Sequence, residues 1–261
     1  MTNALQTGRI AERLPAVQLE MDMLAIRGSI DTDWPNQSLP PAAELVPFGS
    51  FKNKYRGRSC HVVGRGPTDF DYESLGEVRD PEFFINDAVC LEKYARAETF
   101  FFAHDAQLRP WLDGSIHSTA VLPSDGAVVE SGPLNHAGPL VYYSHRGQPG
   151  MRDLLQMDRD EIARRQRLVV HSGTIHSLLH FAWFCGFHQA VLIGCDGINS
   201  TPASSPRDRN TGYDPRLDNR SKSYPGPHYN VIRRGQDLLA QILGIELIYQ
   251  GTPASDPIAA R

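Results

Sequence analysis

Long apolar runs are missing from this chain of 261 residues. No stretch approaches the roughly 20 apolar residues that a membrane-spanning helix needs. The polar N-terminus, MTNALQTGRIAERLPAVQLEMDML, lacks the apolar core of a signal peptide. A cytoplasmic location with at most peripheral membrane contact is the expectation. Lysine is scarce beside arginine, there is no Lys/Arg run, and the formal charge is −4 with a pI of about 6.2. That balance argues against a nucleic-acid partner. Only four cysteines occur, Cys60, Cys90, Cys185 and Cys195, with no CxxC pair. They read as small buried thiols in a reducing compartment rather than metal ligands or disulfides. Repeats and low-complexity tracts are absent too. What is present, 41% hydrophobic residues, suffices for one well-buried α/β core.

Residues 1–25 read as a helix, and 28–50 (SIDTDWPNQSLPPAAELVP within it) as an extended arm, so 1–50 form an N-terminal appendage. Residues 51–261 form the main domain. SCHVVGRGP, EFFINDAV and TFFFAHD are continuous apolar runs ended by polar turns, the pattern of strands covered on both faces. LEKYARA fits a short helix between the last two. STAVLPSDGAVVESG and GPLVYYSHRG suggest short strands within the span 106–170, and MRDLLQMDRDEIARRQR a charged helix. In SGTIHSLLHFAWFCGF, Ser172 is a fair N-cap and Gly186 a C-cap. QAVLIGCDG is the strongest strand, 199–227 a long polar lid loop, NVIRRGQDLLAQILGI an amphipathic helix and ELIYQGTP a last strand. Strands alternating with helices across short turns predict an α/β fold with a single Rossmann-like, doubly wound parallel sheet.

Such sheets bind ligands at the carboxyl ends of their strands. The residues there are Gly64-Arg65-Gly66-Pro67, Asn86-Asp87, His104-Asp105 and Asp196-Gly197. The first group suits a loop that approaches a phosphate closely, or simply a tight strand exit. A full dinucleotide fingerprint fails because Asp69 stands where a third glycine belongs. Asp196 is either a ribose or base acceptor or a turn cap. His171, His176 and His180 look like a metal set, but no HExxH or acidic partner is in register, so packing is favoured. The loop 199–227 carries Arg207, Arg209, Arg216, Arg220, Lys222, Tyr213 and Tyr224. It is a lid for an anionic donor or a solvated loop. YPGPHYNVIRRG, 224–235, sets His228 directly after a rigid Pro-Gly-Pro, at the mouth of a helix.

Four segments in order, from residue 60 to residue 250, resemble the bacterial lipooligosaccharide sialyltransferases, glycosyltransferase family 42. VVGRGPTDFDYESL is similar to that family's strand, Gly-Asn-Gly-Pro-Ser and Ile-Asp-Tyr. INDAVCLEKY resembles its Asn strand exit and Glu-Asp-Lys-Tyr-like helix. SGTIHSLLHFAWFCGFHQAVLIGCDG resembles its Ser-Gly, helix and strand ending Gly-x-Asp. GPHYNVIRRGQDLLAQILGIELIYQ resembles its Gly-His-Ser, helix and strand. The motility-associated flagellin glycosyltransferases and the archaeal pterin diphosphokinases share the same core pattern more distantly.

The resemblance implies a GT-A variant fold, with 51–261 as the nucleotide-sugar-binding catalytic domain, 106–170 as its acceptor-side insertion and 199–227 as a lid. It implies a metal-independent transferase moving a sialic acid or related nonulosonic sugar from a CMP-activated donor to a glycan hydroxyl. It makes His228 the general base, a role that suits an imidazole near neutral pH. Tyr213, with Tyr224 as second candidate, is placed on the leaving phosphate. Gly64, Arg65, Gly66, His104, Asp196 and Gly197 are placed at the nucleotide, and Asn86, Ser172 and Gly173 beside donor phosphate and carboxylate. No metal or other cofactor is expected. A homo-oligomer stays open. Departures fall in the donor pocket. Arg65 and His104 replace asparagines, Val169 replaces an arginine (with Arg167 near), Ile198 replaces a tyrosine, and the lid is longer. The alternatives are a Mg-dependent nucleotide phosphotransferase of the pterin diphosphokinase kind and a non-catalytic nucleotide- or glycan-binding domain.

Overall fold

A computed structural model describes residues 44–64, 80–95, 97–104, 108, 112, 116–126, 129, 134–144, 151–169, 173–195 and 226–250. Seven strands form one sheet: β1 (Ser59–Val63), β2 (Glu82–Ile85), β3 (Thr99–Phe102), β4 (Thr119–Pro123), β5 (Leu140–Tyr143), β6 (Gln189–Ile193) and β7 (Glu246–Gln250). Their order is β5-β4-β3-β2-β1-β6-β7, and every neighbouring pair is parallel. The helices are α1 (Met151–Gln156), α2 (Arg159–Arg165), α3 (Thr174–Cys185) and α4 (Gly226–Leu243). Two 3-10 segments, Phe48–Phe51 and Asn86–Tyr94, join them.

The continuous apolar runs are the reason for this architecture. Side chains alternate across a strand, so a run such as TFFF feeds both faces. Phe83, Phe100 and Phe102 enter one cluster, with Phe48, Phe51, Phe181, Phe184 and residues of α1 to α4. Phe84 and Phe101 enter the other, under Ala88, Val89 and Leu91 of the second 3-10 segment, with Leu108, Leu112 and Leu134. The first face is knit by rings: Phe83 stacks on Phe100 at 4.6 Å, Phe48 on Phe184 at 4.7 Å and Tyr55 on Phe187 at 4.8 Å. Core therefore lies on both faces, and the sheet is doubly wound and Rossmann-like, as the sequence predicts. The aromatic-rich segment 173–186 is core, and Cys60 and Cys185 are buried free thiols.

Two local expectations change. The charged segment is two helices, broken at Met157. Asp158 accepts from the Glu161 backbone N–H at 2.8 Å and so caps a new start. The N-cap of α3 is Gly173, in extended conformation and without a side-chain cap bond, rather than Ser172. At its other end Gly186, at φ 92°, closes the helix as expected.

The arm's end belongs to the sheet edge. Leu140 N–H donates to the Glu44 carbonyl and Val46 N–H to the Leu140 carbonyl, at 2.8 and 2.9 Å. The span 106–170 supplies β4 and β5. Residues 1–25 and most of the lid lie outside the described residues, and 226 and 227 belong to α4. No described helix is long and apolar enough to cross a membrane.

Candidate functional site

From β1 the chain steps outward through β2, β3, β4 and β5, then returns to the other side of β1 with β6 and β7. The switch in direction falls between β1 and β6. In an open parallel sheet, that is where the carboxyl ends of the strands leave a crevice.

Two helices begin at this edge. The end of α3 lies at the opposite one, because Tyr55 and Gly57, just before β1, donate to the carbonyls of Cys185 and Gly186 at 2.8 and 3.1 Å. Its start lies beside the exit of β2, where the Thr174 hydroxyl donates to Asn86 Oδ1 at 3.2 Å. Helix α4 likewise runs back to the start of β7, where Glu246 N–H donates to the His188 carbonyl at 2.9 Å. The helices touch near their starts. Ile232 lies against Gly173, where an added Cβ would be 3.3 Å from Ile232 Cγ2, and His176 Nε2 is 3.2 Å from the Ile232 carbonyl oxygen. Two helix N-termini, the positive ends of their backbone dipoles, thus face one crevice.

The sequence-predicted residues distribute as follows. Gly64 leaves β1 at the switch point, and its N–H donates to the Ile193 carbonyl at 2.8 Å. A Cβ there would meet the Gly194 carbonyl oxygen at 2.5 Å and Cys195 Sγ at 3.0 Å. The need for glycine at 64 is set by the neighbouring strand exit, so of the two readings of this position the tight exit is the one the contacts explain. Gly64→Ala is expected to cost about 2 kcal/mol of stability through overpacking, measured by urea denaturation; an unchanged midpoint would contradict the contact.

Asn86 sits at φ 53° immediately after β2, a left-handed conformation that asparagine tolerates better than most residues. Its side chain is held by Thr174. His104 leaves β3 and is hydrogen-bonded through Nε2 to the Tyr143 hydroxyl at the end of β5. Gly173 is the N-cap of α3. Position 228 lies inside the first turn of α4, which starts at Gly226; the expected lead-in ahead of the helix is corrected to that extent. A proline fits there, because the N–H it lacks has no partner in a first turn. Arg65, Gly66, Ser172, Asp196, Gly197, Tyr213, Tyr224 and Ile198 lie outside the described residues.

His176 and His180 serve packing. His180 is fully buried, accepts from the Val169 N–H at Nδ1 (2.9 Å) and stacks on Trp183 at 5.5 Å. Burial lowers it to about 3, so the ring is neutral. His171 is outside the described residues, and among those described no group of three or more His, Cys, Asp or Glu could hold a metal ion. Val169 is core, 1% exposed. Arg167, by contrast, bridges Ser144 just past the end of β5, on the crevice edge.

Sequence reasoning missed Thr174 and Tyr143. The signal for Tyr143 was its place as the last residue of a strand, the same rule that selected His104. A scan against protein-family models and a search of curated proteins each give no match.

Proposed function

We propose that this chain transfers a sialic acid or related nonulosonic sugar from a CMP-activated donor to a glycan hydroxyl, without a metal. The observation that carries the reading is the crevice itself. The starts of α3 and α4 dock together at the switch-point edge beside Asn86, with position 228 in the first turn of α4. Residue 228 is four positions before Ile232, hence about 6 Å further along the helix axis and on the same helical face. That face meets the start of α3.

In the proposed reaction the acceptor hydroxyl gives its proton to His228, and its oxygen bonds to the anomeric carbon of the donor. The bond from that carbon to the phosphate oxygen breaks, and CMP leaves with the electron pair. Helix N-termini suit the negative charge of the donor and of departing CMP. Asn86 and Ser172–Gly173 stand beside donor phosphate and carboxylate. Gly64, Arg65, Gly66, Asp196 and Gly197 hold the nucleotide, and Tyr213 and Tyr224 steady the leaving phosphate. The acceptor class and the independence of metal come from the resemblance of the motifs.

Thermal shift with CMP, CDP, UDP, GDP and ATP, each with Mg²⁺ or EDTA, tests the reading, since a ligand of the folded state raises its melting temperature. Stabilisation by CMP, indifferent to EDTA, is expected. Stabilisation by ATP only with Mg²⁺ points instead to the phosphotransferase. Silence from all five removes the support for nucleotide chemistry.

A further inference from the structure

Asn86 follows β2 directly and Thr174 opens α3, yet their side chains meet, with the Thr174 hydroxyl 3.2 Å from Asn86 Oδ1. Both ends of the contact are anchored. Ile175, Leu178 and Leu179 seat the start of α3 in the core, and a side chain branched at Cβ has few rotamers. Asn86 stands between β2 and the second 3-10 segment, at φ 53°. An amide oxygen only accepts, so the hydroxyl supplies the proton. The amide keeps two N–H donors of its own. They have no hydrogen-bond partner among the described residues, and Asn86 is half-buried rather than sealed in the core. Donors left open at the carboxyl edge of a parallel sheet lie where such sheets bind ligands.

We propose that Thr174 is a positioning residue: by occupying Oδ1 it turns the Asn86 N–H donors to the crevice, where they take an anionic oxygen of the ligand. The hold of Thr174 on the amide stands apart from the CMP-sugar reading; the naming of that oxygen as the donor's phosphate rests on it. An unheld amide can turn over and present its oxygen, which an anion repels. The threonine removes that choice.

The test is nitrogen-15 NMR of the asparagine-labelled full chain, with the Asn86 side-chain signal assigned by its loss in Asn86→Gly. CMP and inorganic phosphate should each shift that signal in the wild type. Thr174→Val, which keeps the shape without the hydroxyl, should move the signal of the unliganded protein and weaken CMP binding about five- to tenfold, the effect of one misaligned hydrogen bond. Thr174→Ser should restore both. Asn86→Asp and Asn86→Gly both accept a left-handed backbone. At pH 7.5 the aspartate should bind either probe more weakly than the glycine, because it sets a carboxylate against the anion. An aspartate that binds as well as the glycine overturns the orientation even if Thr174→Val does not fold, and an amide signal unmoved by Thr174→Val overturns the positioning. A wild-type signal moved by neither probe overturns the anion contact, and a melting temperature raised by CMP then leaves the CMP reading standing. A signal moved by phosphate alone, with a melting temperature unmoved by CMP, keeps the anion contact and removes the CMP reading.

Discussion

His228→Ala is expected to lower kcat by about 10²- to 10⁴-fold, the range for removing a positioned general base, while the CMP-induced rise in melting temperature survives. In the proposed reaction the base touches the acceptor proton, whereas the nucleotide would be held from the β1, β2 and β6 exits and the α3 terminus. Loss of turnover and retention of CMP therefore belong together. Position in the fold supports the assignment. Position 228 lies in the first turn of α4, at the edge where the start of α3 meets it. The acidic limb of the wild-type kcat/KM profile should vanish in the variant, because that limb reports the essential base in the free enzyme. The check is initial rate against pH, with binding followed separately by thermal shift. Turnover within about threefold of wild type would be too small a loss for a general base and would remove His228 from the mechanism. Joint loss of CMP binding and melting temperature would make it a structural residue of the α4 start.

The sheet was legible because strands buried on both faces read as unbroken apolar runs. SCHVV, EFFI, TFFF, LVYY and QAVLI each became a strand. The ends of helices were less so. Gly226-Pro227 looked like a turn ahead of a helix, yet both residues are inside α4. Asp158 split a charged segment that periodicity alone runs together, because its carboxylate supplies a cap in mid-segment. At the site, the strand-exit rule found Gly64, Asn86 and His104 one by one. It had no means of finding their partners. The Gly194 carbonyl that demands glycine at 64, the Thr174 hydroxyl on Asn86 and the Tyr143 phenol on His104 are all distant in the chain. They meet only because the sheet order brings their strands and helices to one edge.

Glu82→Gln is expected to stabilise the protein at alkaline pH and to leave it nearly unchanged at acid pH. Glu82 opens β2 at the edge opposite the crevice. It is fully buried, and neither carboxylate oxygen has a hydrogen-bond partner among the described residues. Two basic side chains at the same edge of the sheet pair with other carboxylates: Lys54 with Glu98 at 2.8 Å and Arg58 with Asp80 at 3.4 Å. Its register neighbours are His61 on β1 and Thr99 on β3. Burial disfavours the His61 imidazolium, so no positive partner is offered there. Desolvation therefore raises the Glu82 carboxyl from 4.5 to about 7. In the window between those values the folded state holds a proton that the unfolded chain has released, so stability falls as pH rises. Above the folded value the penalty is complete, about 3 kcal/mol. Glutamine keeps the shape without the charge. At pH 8.5 the variant should melt roughly 5–10 °C above wild type, and the gap should close by about pH 4. Calorimetry across that range decides the matter. A gap that is equal at both ends would mean that the carboxylate is not what costs stability. A variant less stable at pH 8.5 would mean that Glu82 is paired as an anion.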